Sequence, residues 1–303
     1  MTTKKILCIG PITKDINIIN NKKEKQIGGA IYYQTQTLTQ LQKPTTAIIT
    51  LNKKNQKLLE KLPKTTDIKQ INTPETLKFI NTYTNNTRTQ KTNLTKNPIT
   101  VEKIKETKIN LTNYDTALLS PLTPYDIPIE TIKYIKKHDI TTILGAQGYI
   151  RNINKQNQVK KIPWKNYEKY LKYTDILFLD ENEIKIALNI PDIKHDTIKE
   201  IINKNNLKEI IITKAKKGSE IHTKTKQINI PSIPTKNPQN PTGLGDTYMA
   251  AYIYKKQYTK DPYICGLFAA ITATYKLETN GILNKTKEDI KKQLNKILKE
   301  ELY

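Results

Sequence analysis

The amino-acid sequence predicts an α/β fold with a mostly parallel sheet covered by helices on both faces. Three observations carry this expectation. Short apolar runs of strand length alternate with segments of helical pattern along most of the chain. The 303 residues continue without a repeat, a disordered linker or a break in composition. Glycine, with only 10 in the chain, stands mostly at turns beside those runs, where the backbone needs positive φ or a close approach.

Residues 5–9 are a short apolar run ending at Gly10 and read as a first, central strand. The segment 16–27 is polar in the middle, Asn20 to Lys23, with isoleucine-rich flanks, and reads as a β-hairpin. Gly28-Gly29 opens a helix over 30–42; residues 46–51 form the next strand and 68–71 add another. Residues 77–83 and 87–93 flank Thr84-Asn85-Asn86, a second hairpin by turn chemistry. Its strands are rich in Thr and Asn, which suits a flap better than a core sheet.

From there the alternation is regular: strand 117–119, helix 128–138, strand 141–144, helix 164–173, strand 176–179 and a short helix to Leu188. Helix 197–205, strand 209–213 and a hairpin through 219–230 follow, then three helices beginning near Gly245, Tyr263 and Lys287. Strands alternating with helices imply parallel pairing. One large domain spanning 1–303 is expected, with the two hairpins, about 13–27 and 72–97, as a small inserted lid.

Composition narrows the function. No apolar run approaches the roughly 20 residues of a membrane span, and residues 1–5 lead only into a short strand. Neither a membrane partner nor a signal peptide is expected, and the location expected is cytoplasmic. Cys8 and Cys265 read as small core residues, and His138, His195 and His222 show no ligand spacing. The net charge of +23 raises nucleic acid as a partner, but lysine is scattered and arginine is confined to Arg88 and Arg151. A solvated basic surface that attracts anionic substrates is the expectation, with no specific nucleic-acid partner.

The most informative stretch is Gly243-Leu244-Gly245-Asp246, which runs directly into an apolar helix. A glycine turn at a helix start exposes unpaired N–H groups and the positive end of the dipole, which makes an anion site. Asp246 in the first turn can meet both a bound phosphate and an incoming hydroxyl, the chemistry of phosphoryl transfer. A Gly-x-x-x-x-Gly-Lys-Ser/Thr loop is absent, and the turn lacks the third glycine and the early position of a dinucleotide fingerprint.

The residues from Asn240 to Thr247, Asn-Pro-Thr-Gly-Leu-Gly-Asp-Thr, resemble the C-terminal signature of the ribokinase-like (PfkB) carbohydrate kinases, usually Asp-x-Thr-Gly-Ala-Gly-Asp-Thr. Gly28-Gly29-Ala30-Ile31-Tyr32-Tyr33, with Gly10 and Asp15 upstream, resembles the N-terminal glycine pair and its sugar-binding aspartate. Similarity extends to Ile212-Thr213 with Lys217-Gly218-Ser219, to Asp180-Glu181-Asn182-Glu183 and to the helix around 269–274, so it runs from about 5 to 295. Leu118 to Leu122 and Ala146 to Arg151 are similar to the archaeal and plant myo-inositol kinase branch. The resemblance implies a three-layer α/β/α domain and an ATP-dependent, magnesium-requiring kinase of a small sugar, polyol or nucleoside, monomeric or homodimeric.

On that resemblance Asp246 is the catalytic base, and Thr242, Gly243, Leu244 and Gly245 supply N–H donors to the transferring phosphoryl group. A helix-start carboxylate that only meets the dipole is the other reading of Asp246. Asp15, Gly28 and Gly29 hold the acceptor, with Gln147 and Arg151 as further contributors; a strand end at Asp15 and a surface loop at 147–151 are the structural readings. Glu183 and Asp180 fall where the family orders magnesium, and Asp180 reads equally as a helix cap. Thr213, Gly218, Thr242, Ala270 and Thr274 match positions lining the nucleotide, although Ala270 and Thr274 read also as helix core.

Three positions depart from the pattern. Asn240 replaces an aspartate that in many relatives helps hold a monovalent cation, Ala215 replaces a nucleotide-loop glycine, and Gly145 stands where the inositol branch often has aspartate. These leave room for a second reading, a catalytically silent sugar- or nucleotide-binding protein on the same fold.

Overall fold

A computed structural model of the chain describes residues 4–19, 21–84, 87–93 and 95–300. Along the chain run β1 (Lys5–Pro11), β2 (Thr13–Ile19), β3 (Lys22–Gly28), α1 (Ala30–Gln40), β4 (Thr45–Leu51), β5 (Asp67–Asn72), β6 (Lys78–Thr84) and β7 (Thr87–Thr92). Next come α2 (Val101–Glu106), β8 (Tyr114–Leu119), α3 (Ile129–Lys136), β9 (Thr141–Gly145), β10 (Arg151–Ile153), β11 (Val159–Lys161) and α4 (Tyr167–Leu171). The remainder is β12 (Ile176–Asp180), α5 (Glu181–Leu188), α6 (His195–Asn205), β13 (Glu209–Thr213), β14 (Ser219–Thr223), β15 (Gln227–Ile230), α7 (Leu244–Lys256), α8 (Pro262–Leu277) and α9 (Lys287–Glu300).

A nine-stranded sheet has the order β15-β14-β13-β12-β9-β8-β1-β4-β5. Pairing is parallel from β13 across to β5, and at one edge β14 alone is reversed, pairing antiparallel with both β13 and β15. Because side chains alternate across a strand, successive apolar residues serve two cores. Ile6, Cys8, Phe178 and Ile211 join α1, α7, α8 and α9 on one face; Leu7, Ile9, Leu177 and Ile210 join α2 to α6 on the other. Cys8 and Cys265 are buried free thiols, as expected of core residues.

A second, four-stranded sheet has the order β3-β2-β6-β7. It consists of the two expected hairpins, joined through parallel pairing of β2 with β6. Asn20, Asn85 and Asn86, in the polar turns of these hairpins, lie outside the described residues. The small hairpin β10/β11 extends this sheet through a bridge between Lys91 and Gln158.

One expectation is corrected. The helix expected over 164–173 is shortened to α4, because Asn166 is left-handed at φ 61 and Trp164 donates its N–H to Ala187. His195 and His222, far apart in sequence, stand with their Nδ1 atoms 3.3 Å apart. Even so, among the described residues no group of three His, Cys, Asp or Glu side chains is placed to hold a metal. Also among the described residues, no helix is long and apolar enough to cross a membrane.

Candidate active site

The carboxyl ends of β9, β12 and β13, the small sheet and the start of α7 line one cleft with a volume of about 1620 Å³. Ligands of open α/β sheets bind at that end, where strand order reverses and loops diverge. Nearly every residue singled out in the sequence falls on its wall: Asp15, Gly29, Gln147 and Arg151, then Asp180, Glu183, Thr213, Gly218, Ala270 and Thr274, and the turn from Thr242 to Asp246. Gly28 is the exception.

Gly28 acts on the cleft indirectly. Strand β2 aligns Asp15 opposite Gln26 of β3, and Thr13 donates to the Asp15 carboxylate at 2.7 Å. A Cβ on Gly28 would lie 2.6 Å from both the Asp15 Cγ and the Thr13 Oγ1, so the missing side chain makes room for the carboxylate. Gly29 has φ 98 and caps α1, which turns the chain from β3 into the helix that carries Tyr33.

The turn at 243 is left-handed. Gly243 has φ 80, and a Cβ there would lie 2.5 Å from the Cδ2 of Tyr33, so conformation and space both require glycine. Among the described residues the N–H groups of Gly243 and Gly245 have no hydrogen-bond partner, and that of Leu244 reaches the Pro241 carbonyl only at 3.4 Å. A Cβ on Gly245 would meet nothing within 4 Å, so the space in front of the turn is open. Thr242 is a correction: its N–H is taken by the Asn240 Oδ1 at 2.8 Å and is not among the available donors.

Asp246 stands in the first turn of α7 and faces this space. Burial pushes its carboxyl up to about 7; the charge of Glu183 adds to the rise and that of Arg151 opposes it. A carboxylate of this kind titrates near neutral pH, where a general base works best. Tyr33, missed in the sequence reading, lines the same cleft: burial raises its phenol, and the charges of Asp246 and Asp15 both add to the shift. It therefore stays protonated as an O–H donor at neutral pH.

Arg151 is held as a fork. It donates to the Gln147 Oε1 at 2.7 Å and to the Leu122 carbonyl at 2.9 Å, and its guanidinium sits 5.0 Å over the ring of Phe79. The loop carrying Leu122 is pinned by buried Asp126, which accepts from the N–H groups of Leu122 and Thr123 at 2.8 Å. Beside Asp15 on the same face of the small sheet, Asn81 donates to Asn17 at 3.0 Å and accepts from Gln90 at 2.8 Å. These amides were not read as site residues, because the register that brings them together is set by the β2–β6 pairing.

Asp180 caps α5: its carboxylate accepts from the Glu183 N–H at 2.7 Å, and Glu183 returns to the Asp180 N–H at 3.2 Å. Glu183 also pairs with Lys161 of β11 at 3.3 Å. Farther along the cleft Thr213 closes β13, and Ala215 has φ 48, so this alanine keeps the left-handed backbone suited to glycine. Thr274 donates to the Ile233 carbonyl at 3.3 Å while lining the cleft. A Cβ on Gly145 would meet only ordinary contacts, Met249 Sδ at 3.5 Å, so glycine there leaves space in the cleft and is not required by the backbone.

Residues 76–289 match the pfkB family of carbohydrate kinases. A nucleoside kinase of Methanocaldococcus jannaschii is 35% identical over 113 residues, 37% of this chain and 35% of that protein, so the chain aligns with about a third of that relative's length. Among solved structures, a sulfate complex of a pyrophosphate-dependent kinase in the ribokinase family superposes with a TM-score of 0.82 at 22% identity, covering 94% of this chain and 99% of the other. The ribokinase of Arabidopsis thaliana, complexed with ribose and ATP, gives 0.76 at 18% identity, covering 97% and 99%. These likenesses show a shared ribokinase-like fold.

Proposed function

The chain belongs to the pfkB family of carbohydrate kinases, and on that premise we propose that it transfers the terminal phosphoryl group of ATP to a hydroxyl of a small sugar or polyol. The observation that carries the reading is Asp246, a carboxyl titrating at about 7 beside the open N–H groups of the 243–245 turn. Asp246 accepts the acceptor's hydroxyl proton as its oxygen forms the new bond to phosphorus, while the bond from phosphorus to the donor's bridging oxygen breaks. The N–H groups of Gly243 and Gly245 meet the charge on the phosphoryl oxygens. Tyr33, protonated at neutral pH, lines the cleft and packs against Gly243.

A polyhydroxylated acceptor suits the opposite wall. Asp15 accepts from hydroxyls, and Arg151, Gln147 and Gln90, the last held by Asn81 and through it Asn17, offer donors and acceptors in fixed directions. The donor's base and ribose fit the slot formed by Thr213, Gly218, Ala270 and Thr274, where small side chains leave room. The small sheet, built from residues 13–28 and 78–92, is the lid that covers the acceptor.

Magnesium fits Asp180 and Glu183 only as a companion of the donor. The two carboxylates border the cleft but are engaged in the capping box of α5, and among the described residues no third His, Cys, Asp or Glu completes a resident site. When bound it supplies charge neutralisation on the phosphates.

A nucleoside acceptor is the second reading, favoured by the 35% identity to the M. jannaschii enzyme. A panel of sugars, inositols and nucleosides, with ATP or pyrophosphate as donor and magnesium present, separates the two readings by acceptor-dependent product release. Pyrophosphate belongs in the panel because one similar structure is that of a pyrophosphate-dependent kinase. Absence of release across all arms would overturn the kinase reading and leave the silent binder.

A further inference from the structure

Helix α8 crosses the core with one charged residue, Lys276, and that side chain has no accessible surface. An ammonium carries three donors and no acceptor. The Nζ donates to the main-chain carbonyl of Asn240 at 2.9 Å and lies over the ring of Tyr33, 5.5 Å from its centroid. Among the described residues no carboxylate stands within ion-pair distance of it. Burial lowers its pKa to about 8, which leaves it mostly cationic at neutral pH. A buried cation without a counter-ion is costly, and the last turn of α8 offers only the negative end of a dipole in return.

Both groups that Lys276 touches belong to the support of the glycine turn. Asn240 precedes the turn and fixes the Thr242 N–H through its side chain. Tyr33 is the ring against which Gly243 packs. The N–H groups of Gln239 and Asn240 are tied to the Leu277 carbonyl at 2.7 and 3.3 Å, so the strap leading into the turn is fastened to the end of α8 beside Lys276. Lys276 itself is not part of the cleft wall.

We propose that Lys276 is the built-in cation of the anion-binding turn. Its ammonium, bonded to the Asn240 carbonyl and set against the Tyr33 ring, positions the backbone of residues 240–245 and adds positive potential where the phosphoryl group is held. It is a positioning residue: it acts through Asn240 and Tyr33 and does not touch substrate. A turn that carries its own cation needs none from solution, which also accounts for an asparagine at 240, since a carboxylate there would neutralise the ammonium.

The inference rests on the phosphoryl-transfer reading, and calorimetric binding of inorganic pyrophosphate without acceptor tests it apart from turnover. Lys276→Met should weaken pyrophosphate binding by about tenfold, and Lys276→Arg should hold it within about threefold. The unfolding midpoint of Lys276→Met at pH 7 should match or exceed that of the wild type, because an unpaired buried charge has been replaced by an apolar chain of similar length. Unchanged affinity in Lys276→Met, equal loss in both variants, or no pyrophosphate binding by the wild type would overturn the proposal.

Should Lys276→Met fail to fold, the wild type provides a second arm. Its pyrophosphate affinity should be equal in potassium and in tetramethylammonium chloride at one ionic strength, and a tenfold demand for potassium (about 1.4 kcal/mol) sinks the idea. Pyrophosphate binding that depends on Lys276, with no acceptor phosphorylated, would defeat the kinase reading and leave this one standing.

Discussion

The carboxylate of Asp15 occupies the space that a side chain on Gly28 would need: a Cβ there would lie 2.6 Å from its Cγ. Asp15 is buried and tethered by Thr13 at 2.7 Å, so moving its carboxylate costs that bond. Gly28→Ala should therefore displace the carboxylate and raise the KM for the acceptor by about tenfold or more, leaving the donor KM within about twofold. Steady-state kinetics with each substrate varied in turn checks this; an unchanged acceptor KM would remove Asp15 from the acceptor site.

For Asp246 the sign of the pH dependence follows from the role of base proposed for it. The base must be ionised, so log kcat/KM should climb with unit slope up to about pH 7 and level off above it. Asp246→Asn should lower kcat by about 10³-fold or more and keep donor affinity within about threefold. Its raised carboxyl holds a proton more tightly in the folded than in the unfolded chain, so the stability it contributes is fully present below the ordinary value of 3.8 and is lost as pH rises through about 7. Asp246→Asn should accordingly melt higher than the wild type at pH 8, with the gap closing toward pH 4. A flat pH profile between 5 and 8 would count against the assignment.

Gly243→Ala places a methyl group into the ring of Tyr33 and forces an L-residue to φ 80. The two penalties together should cost about 2–4 kcal/mol of stability. Shortening the ring separates them: in a Tyr33→Ala background the same substitution should cost only the backbone share, about 1–2 kcal/mol. Denaturant unfolding of the four proteins in this cycle gives the coupling, and strict additivity would show that ring and turn are not in contact.

Asp175 anchors the face away from the cleft. Its buried carboxylate pairs with Lys136, pairs with Lys208 at 3.1 Å, and accepts from the Thr142 N–H at 2.9 Å. Burial acts to raise its pKa, but the bonds from Lys136, Thr142 and Lys208 outweigh it and hold the carboxyl below its usual value. Stability from this group is thus present above the unfolded value of 3.8 and lost as pH falls through the lower folded one. Asp175→Asn should cost about 3 kcal/mol at pH 7 with kcat/KM unchanged; a variant as stable as the wild type at pH 7 would show that the lysines find other partners.

Much of this molecule is readable along the chain because its signals are local. The alternation of apolar runs marks each strand of the parallel sheet, since burial on both faces leaves no polar side to disguise it. The glycine turn before α7 and the pair before α1 announce themselves because positive φ and close approach admit few other residues. Periodicity could also have found Lys276: it follows Ala269 and Thr272 on one face of an otherwise apolar helix, and both are buried. A single charge on such a face was the available clue. By contrast, β10 and β11 carry too few apolar residues to register as strands and exist through pairing with each other and the bridge to β7.

The sequence by itself determined the fold class, most of the order of its elements and the glycine-bearing segments near Asp15 and Asp246, because each depends on neighbours within a few residues; α2, β10 and β11 went unread. Only the tertiary structure decided how those segments meet. It set the Tyr33 ring against Gly243, joined Asn17, Asn81 and Gln90 across strands, tied the Thr242 N–H to Asn240 and placed the Lys276 ammonium on the Asn240 carbonyl. Each of these depends on contacts between segments distant along the chain, and it is burial there that shifts the charges of Asp246 and Lys276 toward neutral pH.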